Sequence, residues 1–133
     1  MSGDIRIAVA KDADIVAARQ SGRALACDLG FSPGNATLIA TAISELARNI
    51  LLYAGAGEIL LAPLDGSGRR GVQVVARDSG PGIADLERAL LDGFSTSQRL
   101  GLGLPGVRRL MDEFDIDTRP GQGTTVTVKK WAR

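Results

Sequence analysis

Two side chains, Glu45 and Asn49, open the question of chemistry in this 133-residue sequence. They lie four residues apart within NATLIATAISELARNILLYA. Helical spacing puts them one turn apart on the line Leu38, Ala42, Glu45, Asn49, Leu52, beside a face of Ile39, Ile43, Leu46 and Ile50. An ordinary E-x-x-x-N pair reaches solvent from a helix edge. This line is otherwise apolar, and a sheltered carboxylate needs a partner to stay charged. A hard divalent cation is one candidate, since Mg²⁺ takes only one or two protein oxygens beside phosphates. Asn49 alone can supply such an oxygen, which leaves Glu45 to act on a proton.

A second segment, VVARDSGPGI, ends a β-branched run in Asp78 and follows it with Gly80 and Gly82. An anionic Asp at a strand end is a pure acceptor, suited to an exocyclic amine such as that of adenine. The glycines permit positive φ and close backbone approach to a ligand. The same residues also make an ordinary turn. The third segment, GFSTSQRLGLGLPGV, sets Gly101, Leu102, Gly103 and Leu104 at a helix start, after the hydroxyls of Ser95, Thr96 and Ser97 and the cation of Arg99. Unpaired N–H groups and partial positive charge at a helix N-terminus favour phosphates. Helix capping alone also accounts for a lone G-x-G.

These segments need a frame. IRIAV (residues 5–9) alternates like a strand. Asp12 reads as the cap of a helix running through Ile15, Ala18, Gly22, Leu25 and Leu29 to a stop at Gly30. Ser32-Pro33 starts a second helix that lasts to about Tyr53. Strands are expected at 58–64 and 71–78 around DGSGRR, then a short helical piece in ADLERALLDG. A third helix runs from about Leu104 to Met111, and a closing hairpin pairs 114–119 with 124–131 around PGQG. The order β-α-α-β-β-α-β-β predicts an α/β (α+β) two-layer sandwich, with mostly antiparallel strands and helices on one side. The stretch from Ser79 to Gly103 is long for a connection, which marks it as functional or mobile.

Composition removes whole classes of mechanism. There is no histidine, which excludes Ser-His-Asp and Cys-His catalysis, imidazole zinc sites and phosphohistidine on this chain. One cysteine, Cys27, excludes an internal disulfide and reads as a small core residue in a reducing compartment. A net charge of +1 with no basic run gives no footprint for nucleic acid or a membrane surface. The expectation is one cytoplasmic domain spanning 1–133. Arg48 reads as an ion-pairing surface residue, and Lys129, Lys130 and Arg133 as a solvated strand end. Trp131 fits either a core closure or an exposed contact.

Taken in order, E-x-x-x-N on a helix, D-x-G-x-G after a strand and G-L-G-L at a helix start resemble the GHKL (Bergerat-type) ATP-binding fold of gyrase-type ATPases, chaperones and histidine kinases. The resemblance runs from about Ser32 to Lys129, and it implies a mixed, mostly antiparallel sheet. GTTVTV, with Thr124 and Thr125, is similar to that family's last box, where a Thr sits near the adenine. Within the family, SELARNILLYAGAG, RDSGPGI and GFSTSQRLGLGLPGVRRLMDEFDI resemble the RsbT-type serine/threonine kinases of stressosome partner switching.

That resemblance implies ATP and Mg²⁺ as cofactors. Asp78 would hold the adenine, Asn49 the Mg²⁺, and Glu45 would serve as general base. Gly80, Gly82, Ser95, Thr96, Gly101, Leu102, Gly103, Leu104 and Thr124 would shape the nucleotide site. The implied partners are STAS-domain substrates of the stressosome scaffold and a PP2C-type phosphatase, activated when the kinase is released. The alternative reading is an anti-sigma factor that sequesters a sigma subunit.

Overall fold

The computed structural model describes residues 4–66, 68–82 and 103–132. Strand β1 (Ile5–Val9) precedes helices α1 (Asp12–Asp28) and α2 (Pro33–Tyr53), which are followed by β2 (Gly57–Gly66) and β3 (Arg69–Asp78). Helix α3 (Gly103–Leu110) and the hairpin β4 (Glu113–Arg119) and β5 (Gly123–Trp131) complete the chain. This is the expected order, with β2 and β3 longer than expected at their shared turn. The expected helical piece ADLERALLDG lies outside the described residues.

Both long helices start for identifiable reasons. At α2, the Ser32 hydroxyl accepts from Asn35 N at 3.1 Å and Pro33 occupies the first helical position. At α1 the cap differs from the expectation. Asp12 is already helical, and Asp14 Oδ2 reaches back to accept from Ala10 N at 2.8 Å and Lys11 N at 3.2 Å. The back-reaching acid two residues later does the capping work.

The sheet order is β1-β2-β3-β5-β4, and all four pairings are antiparallel. Strands β3 and β4 run the same way, but β5 lies between them. No parallel pair therefore forms among the described strands, and the expected mixed component is absent there.

Register aligns the helix-facing residues in rows. Ile7, Ile59, Ala76, Val126 and Ile116 form one row, and Ile5, Leu61, Val74, Val128 and Phe114 the next. Ile39, Ile43 and Leu46 of α2 cover these rows and are at most 1% exposed. Each such side chain contributes about 1.5–3 kcal/mol by leaving water. Ser44 is buried among them and satisfies its hydroxyl within the helix, on Ala40 O at 3.0 Å.

Two expectations change at the periphery, and the structure places Trp131, whose reading the sequence leaves open. Cys27 is exposed, because Gly22 and Ala26 hold the inward positions of α1 and Cys27 lies about 100° around from Ala26. Lys130 does not simply extend into water: its Nζ donates to Leu110 O at 2.8 Å, at the C-terminus of α3, where a cation meets unpaired carbonyls. Lys129 remains near Glu113, at 4.0 Å, and Arg133 lies outside the described residues. Trp131 lies over Gly71 on the outer sheet face, where a Cβ on Gly71 would come within 2.7 Å of the ring. Its Nε1 donates to Glu113 Oε2 at 2.9 Å, and Arg69 stacks 5.1 Å from the ring centre.

On the same outer face, Glu58 sits between two exposed arginines. It accepts from Arg77 Nε at 2.9 Å and also from Arg77 Nη2 and Arg6 Nε. The Arg77 hydrogen bonds, followed by that from Arg6, hold the carboxyl below its ordinary value. The carboxylate is thus favoured in the folded chain. Its contribution is complete above the ordinary glutamate value of about 4.3 and is lost as pH falls through the lower folded value. Glu58→Gln should therefore lower the melting temperature at neutral pH, and the gap to wild type should close on acidification through that window. Molar salt should narrow the gap at neutral pH as well. Thermal unfolding followed by circular dichroism measures both.

Candidate functional site

The helix-facing rows change character at one end of the sheet. Beyond the apolar rows lies Val9, Gly57, Asp78, Thr124, Thr118, in register across all five strands. Asp78 therefore ends β3 on the face covered by the helices, with the Thr124 of β5 beside it. Thr124 and Thr118 join through their hydroxyls at 2.8 Å. The acidic and hydroxyl groups form a polar border to an apolar sheet.

Four glycines make that border possible, and each does so by leaving out a Cβ. One on Gly57 would come within 2.8 Å of Ile50 Cγ2 and 3.1 Å of Asp78 Cβ, so the strand neighbour of Asp78 must be bare. One on Gly80 would lie 2.6 Å from Ala54 Cβ, at the end of α2. One on Gly82, whose φ is +79°, would lie 2.5 Å from Arg119 O. One on Gly123, at φ +104°, would lie 2.1 Å from Asp78 O. The chain leaving β3 is thus threaded between the end of α2 and the β4–β5 turn, where Gly121 N also donates to Pro81 O at 2.8 Å. Asp78 Oδ1 accepts from Gly80 N at 2.9 Å and closes the turn. The D-x-G-x-G spacing is explained by packing within the chain: Gly80 clears a helix and Gly82 clears a strand end.

Helix α2 carries the other groups. Ile50 and Ala54 abut Gly57 and Gly80, so the C-terminal end of α2 is beside Asp78. Asn49 and Glu45 follow in the opposite direction, Glu45 about 8 Å along the axis from Ile50. Asn49 is half-buried, and Glu45 is 8% exposed. The apolar line is only partly sheltered: Ala42 is buried, while Leu38 and Leu52 are exposed. Glu45 has a partner there on its own helix, Arg48, whose Nη1 donates to Oε1 at 2.8 Å. Arg48 is the ion-pairing residue expected, but its partner is the candidate base. Among the described residues, no buried side-chain nitrogen or oxygen lacks a hydrogen bond.

Helix α3 packs against α2 and begins at Gly103, φ +63°. Leu104 and Val107 point into the core, at 7% and 0% exposure. Leu104 therefore seats this helix in the core. Ser95, Thr96, Gly101 and Leu102 lie outside the described residues. Among the described residues there is no cluster of three or more His, Cys, Asp or Glu side chains able to hold a metal. No described helix is long and apolar enough to cross a membrane.

Sequence reasoning missed Gly57, Gly123, Ala54 and Thr118 as builders of this corner. The signal for Gly57 was the second glycine of AGAG, and for Gly123 the last of PGQG. Both read as generic turn residues until strand register sets them against Asp78.

Comparison with known proteins agrees with this construction. Residues 34–132 match the family described as histidine kinase-, DNA gyrase B- and HSP90-like ATPases. The chain is 53% identical over 120 residues to the serine/threonine-protein kinase RsbT of Bacillus subtilis (strain 168), covering 90% of each. It is 31% identical over 98 residues to the anti-sigma F factor of Thermoanaerobacter sp. (strain X514), covering 70% of this chain and 68% of that one. Among solved structures it superposes on the RsbU and RsbW domains of Rv1364c from Mycobacterium tuberculosis with a TM-score of 0.66 at 22% identity. That match takes in 99% of this chain and 33% of the other, so the chain spans about a third of that protein's length. The SiaB-SiaC complex from Pseudomonas aeruginosa gives a TM-score of 0.58 at 14% identity, over 96% of this chain and 88% of that one. The two structures speak for the fold alone. With the two-layer fold, the acid-bordered sheet and a close kinase relative in agreement, the chain belongs to the histidine kinase-, DNA gyrase B- and HSP90-like ATPase family, among its RsbT-like serine/threonine kinases of the partner-switching type.

Proposed function

We propose that the chain transfers the γ-phosphoryl group of ATP to a Ser or Thr of a STAS-domain partner. We assign each role to this chain's own residues. The observation that carries the reading is the alignment of Asp78, Asn49 and Glu45: an acceptor at the sheet border, then an amide, then a carboxylate along one buried helix. That order suits a nucleotide lying from base to phosphates along α2. Asp78 uses Oδ1 for its own turn, and Oδ2 accepts from the exocyclic amine of adenine. Thr124 borders the base beside it. Gly80 and Gly82 hold the turn that presents Asp78, and Gly103 opens α3, which Leu104 seats in the core, as the place for the phosphates; the roles of Ser95, Thr96, Gly101 and Leu102 there rest on the family resemblance.

The donor set fits magnesium bound together with a nucleotide, because a half-buried amide oxygen is what Mg²⁺ needs once phosphates fill other positions. Asn49 would hold it. Bound there, the ion supplies neutralisation of charge on the phosphates. Glu45 accepts the proton of the substrate hydroxyl. Phosphoryl transfer is mostly positioning and electrostatics, so few side chains are required.

The product phosphate, with about −1.5 to −2 charge, would lie close to Glu45 and to the phosphates of ADP. The partner should therefore leave, and the released kinase is then available to activate a PP2C-type phosphatase. The anti-sigma F relatives support a second reading, sequestration of a sigma subunit.

Three outcomes test the proposal. Incubated with γ-labelled ATP, Mg²⁺ and a recombinant STAS-domain protein, the chain should label a Ser or Thr of that protein. The unmodified partner should co-elute with the kinase in gel filtration, and the phosphorylated partner should elute apart. Absence of label, together with retention of a sigma subunit, selects the second reading.

Asp78→Asn should weaken ATP binding in calorimetry by about 1.5–3 kcal/mol, through loss of a charge-assisted hydrogen bond. Unchanged affinity sinks the adenine assignment.

Asn49→Ala should remove the Mg²⁺ dependence of nucleotide binding. Glu45→Gln should spare binding and slow transfer about 10²- to 10⁴-fold. Transfer by Glu45→Gln at the wild-type rate would exclude it as the base.

A further inference from the structure

The Arg48–Glu45 pair is unlike a solvated pair at helical spacing. The side chain of Glu45 is 11% exposed and that of Arg48 is 31% exposed. The guanidinium therefore reaches inward to a sheltered carboxylate. It does so through one nitrogen to one oxygen, Nη1 to Oε1, at 2.8 Å. The backbone beneath the pair is fixed, since Ala42, Ile43, Leu46 and Ala47 are all at most 1% exposed. Nothing has to close over the helix for this contact to form.

A glutamate has three side-chain torsions, and a free one samples many orientations of its carboxylate. A base works only within hydrogen-bond reach and in line with the proton it takes. The pair removes most of that freedom and leaves the two carboxylate oxygens inequivalent. Arginine suits the task because its planar, permanently charged donors are directional, which an ammonium group is not.

We infer that Arg48 is a positioning residue for phosphoryl transfer, holding Oε1 of Glu45 so that Oε2 meets the substrate hydroxyl. This rests on the reading of Glu45 as general base. In the step it serves, the hydroxyl oxygen forms a bond to the γ-phosphorus and its proton passes to Oε2. The bond from that phosphorus to the β,γ-bridging oxygen breaks, and ADP leaves with the electron pair. Arg48 exchanges no proton and touches no reacting atom. Its effect runs through Glu45.

The test is a double-mutant cycle in the transfer assay, with γ-labelled ATP and a STAS-domain protein that the wild-type chain labels. Arg48→Ala should lower kcat about 10- to 100-fold, the cost of a misplaced reacting group, and leave the KM for ATP unchanged. Arg48→Lys should restore part of kcat, since an ammonium reaches the same oxygen with less direction. In a Glu45→Gln background, Arg48→Ala should cost nothing further, because the base it positions is gone. Wild-type kcat in a folded Arg48→Ala variant overturns the inference. An equal loss in both backgrounds also overturns it and puts Arg48 directly on the phosphates. If Glu45→Gln alone turns over at the wild-type rate, the base assignment fails first and the inference fails with it. Thermal unfolding reports whether each variant is folded. Should Arg48→Ala not fold, Arg48→Lys and Arg48→Gln carry the same comparison, with kcat falling further for Gln than for Lys.

Discussion

The route of the chain out of β3 is the constraint on which the site depends. Asp78 must end the strand on the helix-covered face, and the next residues must escape between the end of α2 and the β4–β5 turn. The gap is closed to any Cβ at Gly57, Gly80, Gly82 and Gly123. At Gly82 and Gly123 the obstacle is backbone, which no rotamer change can move. Positive φ at both adds strain for any other residue. The four glycines belong to three different stretches of sequence, so the corner exists only after the sheet and α2 have assembled. The position of Asp78 is a tertiary product even though its motif is local.

That difference decides how much was legible. Helix α2 could be read directly, because Ser32-Pro33 and the Ile39, Ile43, Leu46, Ile50 stripe are local signals that tertiary packing then reuses. The element order was legible for the same reason. Register was not. Nothing local says that Gly57, Asp78, Thr124 and Thr118 share a row, since pairing partners up to 46 residues apart in the chain set it. The misreading of Cys27 came from composition: thiols pack well, but position 27 falls on the outer side of α1 while Ala26 takes the core. The cap at α1 was displaced because two acids, Asp12 and Asp14, compete and only geometry decides. Lys130 was read as solvated because its acceptor, a carbonyl of α3, is visible only in the fold.

The relatives include a kinase and anti-sigma factors, which fits one fold serving more than one function. On α2 the sheltered carboxylate of Glu45 is held by Arg48, three residues on.

The strand order has a further consequence. Among the described residues it leaves β1 and β4 as the two rims of the sheet, the positions where backbone groups can template another chain's strand. Strand β1 is five residues long and carries an exposed Arg6. Strand β4 exposes an acid at every second position, Glu113, Asp115 and Asp117, in the pattern EFDIDTR. A like-charged comb of this kind repels a second copy aligned along it and disfavours fibrillar stacking. The rim is thereby guarded against the least reversible association open to a β-sheet.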